Sequence, residues 1–300
     1  MTRRYGWLLN LDAEMELARG RPGYVPQRKL LAQLAEHGGG SRALLGANDE
    51  LLDDRAPMPV SARLADQLGL IGRAWCPTPL ALASLRRCGV EPEPHPNAQV
   101  LRRVNHRLFA HELGGGLPEQ RYVQTREQLA ERLGDGSRRW LLKRPLGFAG
   151  RGQLRAIGPL SEKQGTWVDA SLKRDGLIVE PLVSPTFEVS LHGFIWRGGR
   201  YELGEICAQL VSERGVFRGV RRAEKGDLSA SEQAAFGERG RAVAEALFAA
   251  GYFGPFGIDG YRYESEEARG FCALSEINAR YTLGFVTGFP RHPSELSLDD

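Results

Sequence analysis

The sequence predicts an α/β protein in two parts: a small parallel α/β unit over residues 1–100, then a larger α+β domain over 101–300. Three observations lead there. Short apolar runs alternate with helical stretches through the first hundred residues, the pattern of parallel strands joined by crossover helices. Strand-like runs joined by short Gly or Pro turns dominate from Trp140 to Leu210. Between the two patterns lies Glu91-Pro92-Glu93-Pro94-His95-Pro96, a stiff connection that marks the boundary. With 300 residues, 42% of them apolar, the chain can bury a substantial core.

In the first part, residues 6–11 read as a strand. Pro26 opens a helix whose Leu30, Leu31, Leu34 and Ala35 form one apolar stripe, ended by Gly38-Gly39-Gly40. A second strand is expected near Ala43-Leu44-Leu45, a helix over 61–68 and a third strand over 70–75. Thr78-Pro79 then caps a helix that Gly89 stops. No Gly-x-Gly-x-x-Gly follows the first strand, so this Rossmann-like unit is not expected to hold a dinucleotide. In the second part Asn105 is placed to cap a helix through Leu113. Thr125 and Gln128 have capping-box spacing before a helix that ends near Gly134. Strands are expected over 140–143, 153–157, 176–180, 187–195 and 200–210. A long helix over 231–250 stops at Gly251, and a hairpin closes the chain with arms 256–263 and 271–280.

Forty Lys plus Arg against thirty-seven Asp plus Glu leave +3, too balanced for a partner of nucleic acid. No run reaches the about 18 apolar residues of a membrane span, and the basic start gives way after Gly6-Trp7-Leu8-Leu9 to Asn10 and Asp12, so no membrane partner and no signal peptide are expected. Cys76, Cys88, Cys207 and Cys272 are scattered, as reduced thiols of a cytoplasmic protein would be. Only five basic residues are lysine, which singles out Lys143.

Lys143 ends an apolar strand, and Gly147, Gly150 and Gly152 follow in a loop before another strand. This is no Walker loop, but glycines let backbone N–H groups approach a phosphate while the ammonium neutralises it. A flexible hairpin with a snorkelling lysine is the alternative. In the closing hairpin Glu276, Asn278 and Arg280 share one strand face. With Glu264 set opposite Phe271, the register brings Asp259 opposite Glu276. Facing carboxylates repel, and a proton, an arginine or a divalent cation relieves them; Asn278 adds a neutral oxygen. The alternative is a solvated polar face with Arg280 pairing Glu276. Glu180 ends a third apolar strand where backbone groups could read an adenine edge. Glu188, eight residues on, could accept from ribose hydroxyls, although acids beside a turn are commonly just solvated. Arg214, Arg218, Arg221, Arg222 and Lys225 form a basic loop, either solvated or a lid.

In this order the pieces resemble the ATP-grasp superfamily over roughly residues 100 to 290, and the first unit looks like the N-terminal domain such enzymes carry. The resemblance implies a two-lobed ATP-grasp domain, with a smaller lobe near 120–180 and a C-terminal lobe near 181–300. It implies that Lys143 contacts the α- and β-phosphates of ATP and that the Gly147, Gly150 and Gly152 loop closes on them. Glu180 and its neighbours to Val183 would hold adenine and Glu188 the ribose. Asp259, Glu276 and Asn278 would bind Mg²⁺, with Mn²⁺ as a substitute. Arg107, or the nearby Arg103, matches a first basic phosphate ligand. Glu276-Ile277-Asn278-Ala279-Arg280 is similar to the Glu-x-Asn-x-Arg of carboxylate-activating members such as biotin carboxylase, where Arg280 would hold the acid. The D-alanine-D-alanine ligase pattern has an arginine two residues before the metal Asp; here that residue is Gly257.

The implied activity is an ATP-dependent ligase that phosphorylates a carboxylate and joins the acyl phosphate to an amine or thiol, releasing ADP and phosphate. An ATP-grasp kinase and a nucleotide-binding protein without turnover are the alternatives. The implied partners are ATP, a small-molecule acid and an amine, with a homodimer expected only at family level. His192, Glu205 and Gln209 are candidates for the amine side.

Overall fold

The structure is a computed structural model that describes residues 3–20, 23–26, 38–53, 69–134, 136–147, 152–211, 217–265 and 268–299. Strand β1 (Tyr5–Leu8) leads to helix α1 (Ala13–Arg19); β2 (Glu50–Leu51) and β3 (Ile71–Ala74) flank β1, both parallel to it. The second strand is thus not at 43–45. Gly38–Leu44 forms a 3₁₀ helix instead, because Ser41 and Leu44 are buried while Arg42 and Ala43 are exposed, a period of three rather than two. The helices expected after Pro26 and over 61–68 fall outside the described residues. Helix α2 (Pro79–Arg87) begins at Thr78, as expected, but Thr78 does not cap it. Its hydroxyl donates to Glu16 Oε2 at 2.6 Å, and Glu16 Oε1 accepts from the Leu80 N–H at 2.8 Å, so α1 supplies the cap.

The proline-rich connection runs beside β3, with Gly72 N–H donating to Glu91 O and Glu93 N–H to Gly72 O. Arg73, fully buried, donates to both Glu93 oxygens and to the carbonyls of Pro293 and Leu296 near the C-terminus. Helices α3 (Ala98–Val104) and α4 (Arg107–Glu112) follow. Asn105 does not cap α4. His106 does, accepting from the Leu108 N–H, while Asn105 ends α3 and turns its amide inward.

Strands β4 (Arg121–Val123), β5 (Arg139–Lys143), β6 (Gln153–Ile157) and β7 (Leu177–Pro181) form an antiparallel sheet in the order β4-β7-β5-β6. Two helices cover it: α5 (Arg126–Leu133), opened by the expected Thr125–Gln128 capping box, and α6 (Glu162–Leu172), opened by a Ser161–Gln164 box that announces a helix where only strands were expected. Trp140, Leu142, Val168, Leu177 and Val179 belong to the core of this sheet.

A second antiparallel sheet takes β8 (Ser184–Ile195), β9 (Tyr201–Val211), β10 (Phe217–Arg222), β11 (Gly254–Glu264) and β12 (Arg269–Asn278) in the order β10-β9-β8-β11-β12. Helix α7 (Ala230–Ala249) packs on one face, and the short α8 (Phe285–Gly288) follows the hairpin. Arg218, Arg221 and Arg222 therefore lie on an edge strand and not in a loop. Arg221 pairs with Asp227 at 2.6 Å, and Arg222 donates to Thr287 O at 3.0 Å; Arg214 lies outside the described residues. Beneath this sheet Val189, Phe236, Leu247, Phe256, Ile277 and Phe285 share one core with Tyr5, Trp7, Leu17 and Trp75 of the first hundred residues. Among the described residues no helix is long and apolar enough to cross a membrane.

Candidate functional site

The closing hairpin brings Asp259 opposite Glu276, but by another route than an even register. Glu264 pairs with Arg269, not Phe271. Between the pairs Tyr261–Cys272 and Asp259–Glu276, β11 advances two residues and β12 four. The bulge restores the alignment, and Ser275 Oγ fills it by donating to Asp259 O at 3.0 Å. A bulge re-aims side chains, and here it sets two carboxylates against each other.

Asp259 accepts from Gln209 Nε2 on Oδ1 and from Asn278 Nδ2 on Oδ2, both at 2.8 Å. Burial, and then the charge of Glu276, push its carboxyl up to about 7; Arg280 and the Asn278 bond oppose the shift. Glu276 Oε1 accepts from Arg107 Nη2 at 2.7 Å, while Arg107 Nη1 donates to Arg144 O at 2.7 Å. Arg107 thus stands between the hairpin and the loop after β5. Asn105, two residues earlier, accepts from the Ala279 N–H at 2.9 Å and so fixes the chain just past Asn278. Nothing local in the sequence marks that contact.

On the other sheet, Lys143 and Glu180 are diagonal neighbours on one face of β5 and β7, and their charges meet at 2.5 Å with Glu180 buried. The Glu180 side chain therefore holds Lys143. The base of the glycine loop closes through Arg144 N–H to Gly152 O at 2.8 Å, and Gly152 has a φ of +81° that suits only glycine well. Gly147 precedes this loop; Gly150 lies outside the described residues. Val183 packs with Tyr261 against Leu117, Tyr263 and Cys272. Glu188 pairs with Tyr261 across β8 and β11, and burial raises its carboxyl. Tyr261, two residues past Asp259 on the same strand face, was not singled out in the sequence, although alternation places it there.

Arg280 is neither open to solvent nor paired with Glu276. It lies mostly out of solvent over the Trp75 ring, and it donates from Nε and Nη2 to Glu14, from Nη1 to Tyr281 O at 3.0 Å and from Nη2 to Asn278 Oδ1 at 2.9 Å. His192 does not line an open surface either. It is buried between Ser190 and Thr282, and burial lowers its imidazole to about 4. A Cβ at Gly257 would lie 3.1 Å from Thr282 Cγ2 and 3.2 Å from His192 Nδ1, a position too crowded for an arginine unless both are displaced.

The donor set fits a divalent cation that also binds phosphate. Two facing carboxylates, one of them pushed up to about 7 by burial and by the charge of the other, gain most from such an ion. Among the described residues no three His, Cys, Asp or Glu side chains are grouped to hold a metal unaided. Magnesium commonly takes one or two carboxylates and completes its shell with phosphate oxygens and water.

No protein-family model matches the sequence, and no characterised protein matches it in sequence. Solved structures do resemble it. N5-carboxyaminoimidazole ribonucleotide synthetase from Thermus thermophilus is 21% identical, over 93% of this chain and 71% of that one, with a TM-score of 0.50. D-alanyl-alanine synthetase A from Vibrio cholerae is 12% identical, over 99% and 92%, with a TM-score of 0.51. The biotin carboxylase domain of Hydrogenobacter thermophilus 2-oxoglutarate carboxylase, solved with MgADP, ADP and bicarbonate, is 13% identical, over 95% and 66%, with a TM-score of 0.54. At these identities the likeness is one of architecture, and the architecture that this chain shares with them is the ATP-grasp fold.

Proposed function

We propose that the protein is an ATP-dependent ligase that phosphorylates a carboxylate and joins the acyl phosphate to an amine or thiol, releasing ADP and phosphate. The observation that carries this reading is the Asp259–Glu276 pair, set by the bulge and joined through Arg107 to the loop that follows Lys143. On this reading Lys143 and Arg107 exchange Glu180 and Glu276 for phosphate oxygens, and the Gly147–Gly152 loop closes on them. Glu180 and Val183 border the adenine, Glu188 takes the ribose, and Tyr261 with Val183 excludes water from that end. Mg²⁺, or Mn²⁺, would be held by Asp259 and Glu276 beside Asn278 and would neutralise the phosphate charge. Positioning and charge neutralisation are then the chain's main contribution.

The named functions of the structural neighbours support a ligase over a kinase, and no side chain over residues 276–280 is left to serve a hydroxyl as base. The two sheets act as the smaller and larger lobes of a domain over 101–300. The parallel unit over 1–100 shapes the substrate side, since ligands collect at the carboxyl ends of parallel strands.

Two measurements test the reading. Hydroxylamine with ATP, Mg²⁺ and a panel of acids should trap an acyl hydroxamate as ADP appears; a stable phosphorylated product without hydroxamate would make the protein a kinase. Lys143→Ala should weaken Mg-ADP binding by about 1.5–3 kcal/mol, the value of a charge-assisted contact. Equal affinity in a folded variant would remove Lys143 from the site.

A further inference from the structure

Arg280 is the last residue of the motif that suggested an acid-binding arginine, yet its donors are already committed. A guanidinium grips a carboxylate with two parallel N–H groups, and the Nε–Nη2 edge suited to that grip is turned to Glu14. Both side chains are nearly out of solvent, Arg280 at 12% and Glu14 at 9% exposure. Glu14 uses Oε1 for both contacts and leaves Oε2 buried with no hydrogen-bond partner. An unsatisfied buried oxygen is costly, so stability alone does not account for the arrangement.

We propose that Glu14 is a positioning residue for Asp259, acting through Arg280 and Asn278, and that Arg280 orients the Asn278 amide instead of holding the acid substrate. The proposal rests on the ligase reading only in taking Mg-nucleotide as the ligand of Asp259.

The chain of contacts runs from Glu14 to Arg280, from Arg280 Nη2 to Asn278 Oδ1 at 2.9 Å, and from Asn278 Nδ2 to Asp259 Oδ2 at 2.8 Å. Its polarity is set by chemistry. A guanidinium can only donate, so the Asn278 atom facing it is the oxygen; a carboxylate accepts, so the atom facing Asp259 is the amide nitrogen. Gln209 donates to the other oxygen of Asp259, which fixes that carboxylate from both sides.

Two consequences follow. Asn278 Oδ1 already carries a cation, so a divalent ion on the same oxygen would be repelled; the metal falls to Asp259 and Glu276, with Asn278 as their support. Glu14 lies in the first turn of α1, just past β1, so the placement of the parallel unit is read directly into the metal carboxylate.

The test uses Glu14→Gln, which keeps shape and an acceptor oxygen but removes the charge that holds Arg280. In the ligand-free protein, the side-chain amide resonances of Asn278, identified by their loss in Asn278→Ala, should move in Glu14→Gln. In calorimetric titration of ADP, the magnesium concentration needed for half-maximal binding should rise about 10- to 100-fold, the usual cost of losing a residue behind a metal ligand. ADP affinity without magnesium should stay the same. Glu14→Gln combined with Asn278→Ala should resemble Asn278→Ala alone, because both act along one path.

Unmoved Asn278 resonances, an unchanged magnesium requirement, or additive effects in the double variant each overturn the proposal, given a near-ultraviolet circular dichroism spectrum like the wild type. If the wild-type protein binds no nucleotide, the ligase reading fails by itself, and the amide resonances of the ligand-free protein still decide whether Glu14 controls Asn278.

Discussion

The four-stranded sheet of residues 121–181 and the five-stranded sheet of residues 184–278 each carry half of the candidate site, but they are anchored differently. The first has its own core around Trp140, Leu142 and Val179. It is tied to the rest by such links as Arg102–Asp175 at 2.5 Å, Arg107 to the Arg144 carbonyl, and Leu146, which reaches into the main core. The second shares its core with the first hundred residues. Asp259 and Glu276 are therefore carried by the core that also packs the parallel unit. Lys143 and Glu180 ride on a module whose packing is its own, and local stability follows such units.

The largest expected effect comes from the clamp that fastens the parallel unit to the main core. Arg73→Ala leaves Glu93 without its buried partner and should cost about 3–5 kcal/mol. Hydrogen exchange should then speed up in β1–β3 and in β8–β12 together. Loss confined to residues 3–97 would show that the core is divided between the parallel unit and the five-stranded sheet. Leu142→Ala should cost about 2–5 kcal/mol, as large-to-small changes in a tight core do. Its faster exchange should stay within residues 121–181; spread into β11 and β12 would show that the four-stranded sheet does not have a core of its own.

The facing carboxylates add an effect that depends on pH. The folded-state carboxyl of Asp259 is raised to about 7 from an ordinary 3.8, so between these values the folded protein holds a proton that the unfolded chain has lost. Its contribution to stability is present below about pH 4 and is lost as pH rises through 7. Asp259→Asn escapes that loss and should be more stable than wild type above pH 7, by at most about 4 kcal/mol, with the advantage nearly gone at pH 4. Urea titrations at the two pH values check it; a constant difference would mean that Asp259 is not held protonated.

Residues that signal over three or four positions were legible in the sequence. The Thr125–Gln128 box, the Gly251 stop after α7 and the face shared by Glu276 and Asn278 all stand as read. The same signal at Ser161–Gln164 was present and overlooked. The 38–44 stretch misled because one apolar triplet fits either a strand or a single 3₁₀ turn, and only the burial of Ser41 with Leu44 separates them. The basic segment misled because charge hides strand character on a sheet edge, where alternate groups face solvent.

The residue types of the candidate site and the elements that bear them were readable from the sequence alone, since both follow from side-chain chemistry and from periods of two and 3.6 residues. The sequence also placed Asp259 opposite Glu276, although through an even register that the hairpin does not have. The tertiary structure decided the bulge that makes that pairing real, the hold of Arg107 on Glu276, the grip of Asn105 on Ala279 and the turning of Arg280 towards Glu14. Each of these depends on where a donor finds an acceptor far away in the chain, and no local period encodes such a meeting.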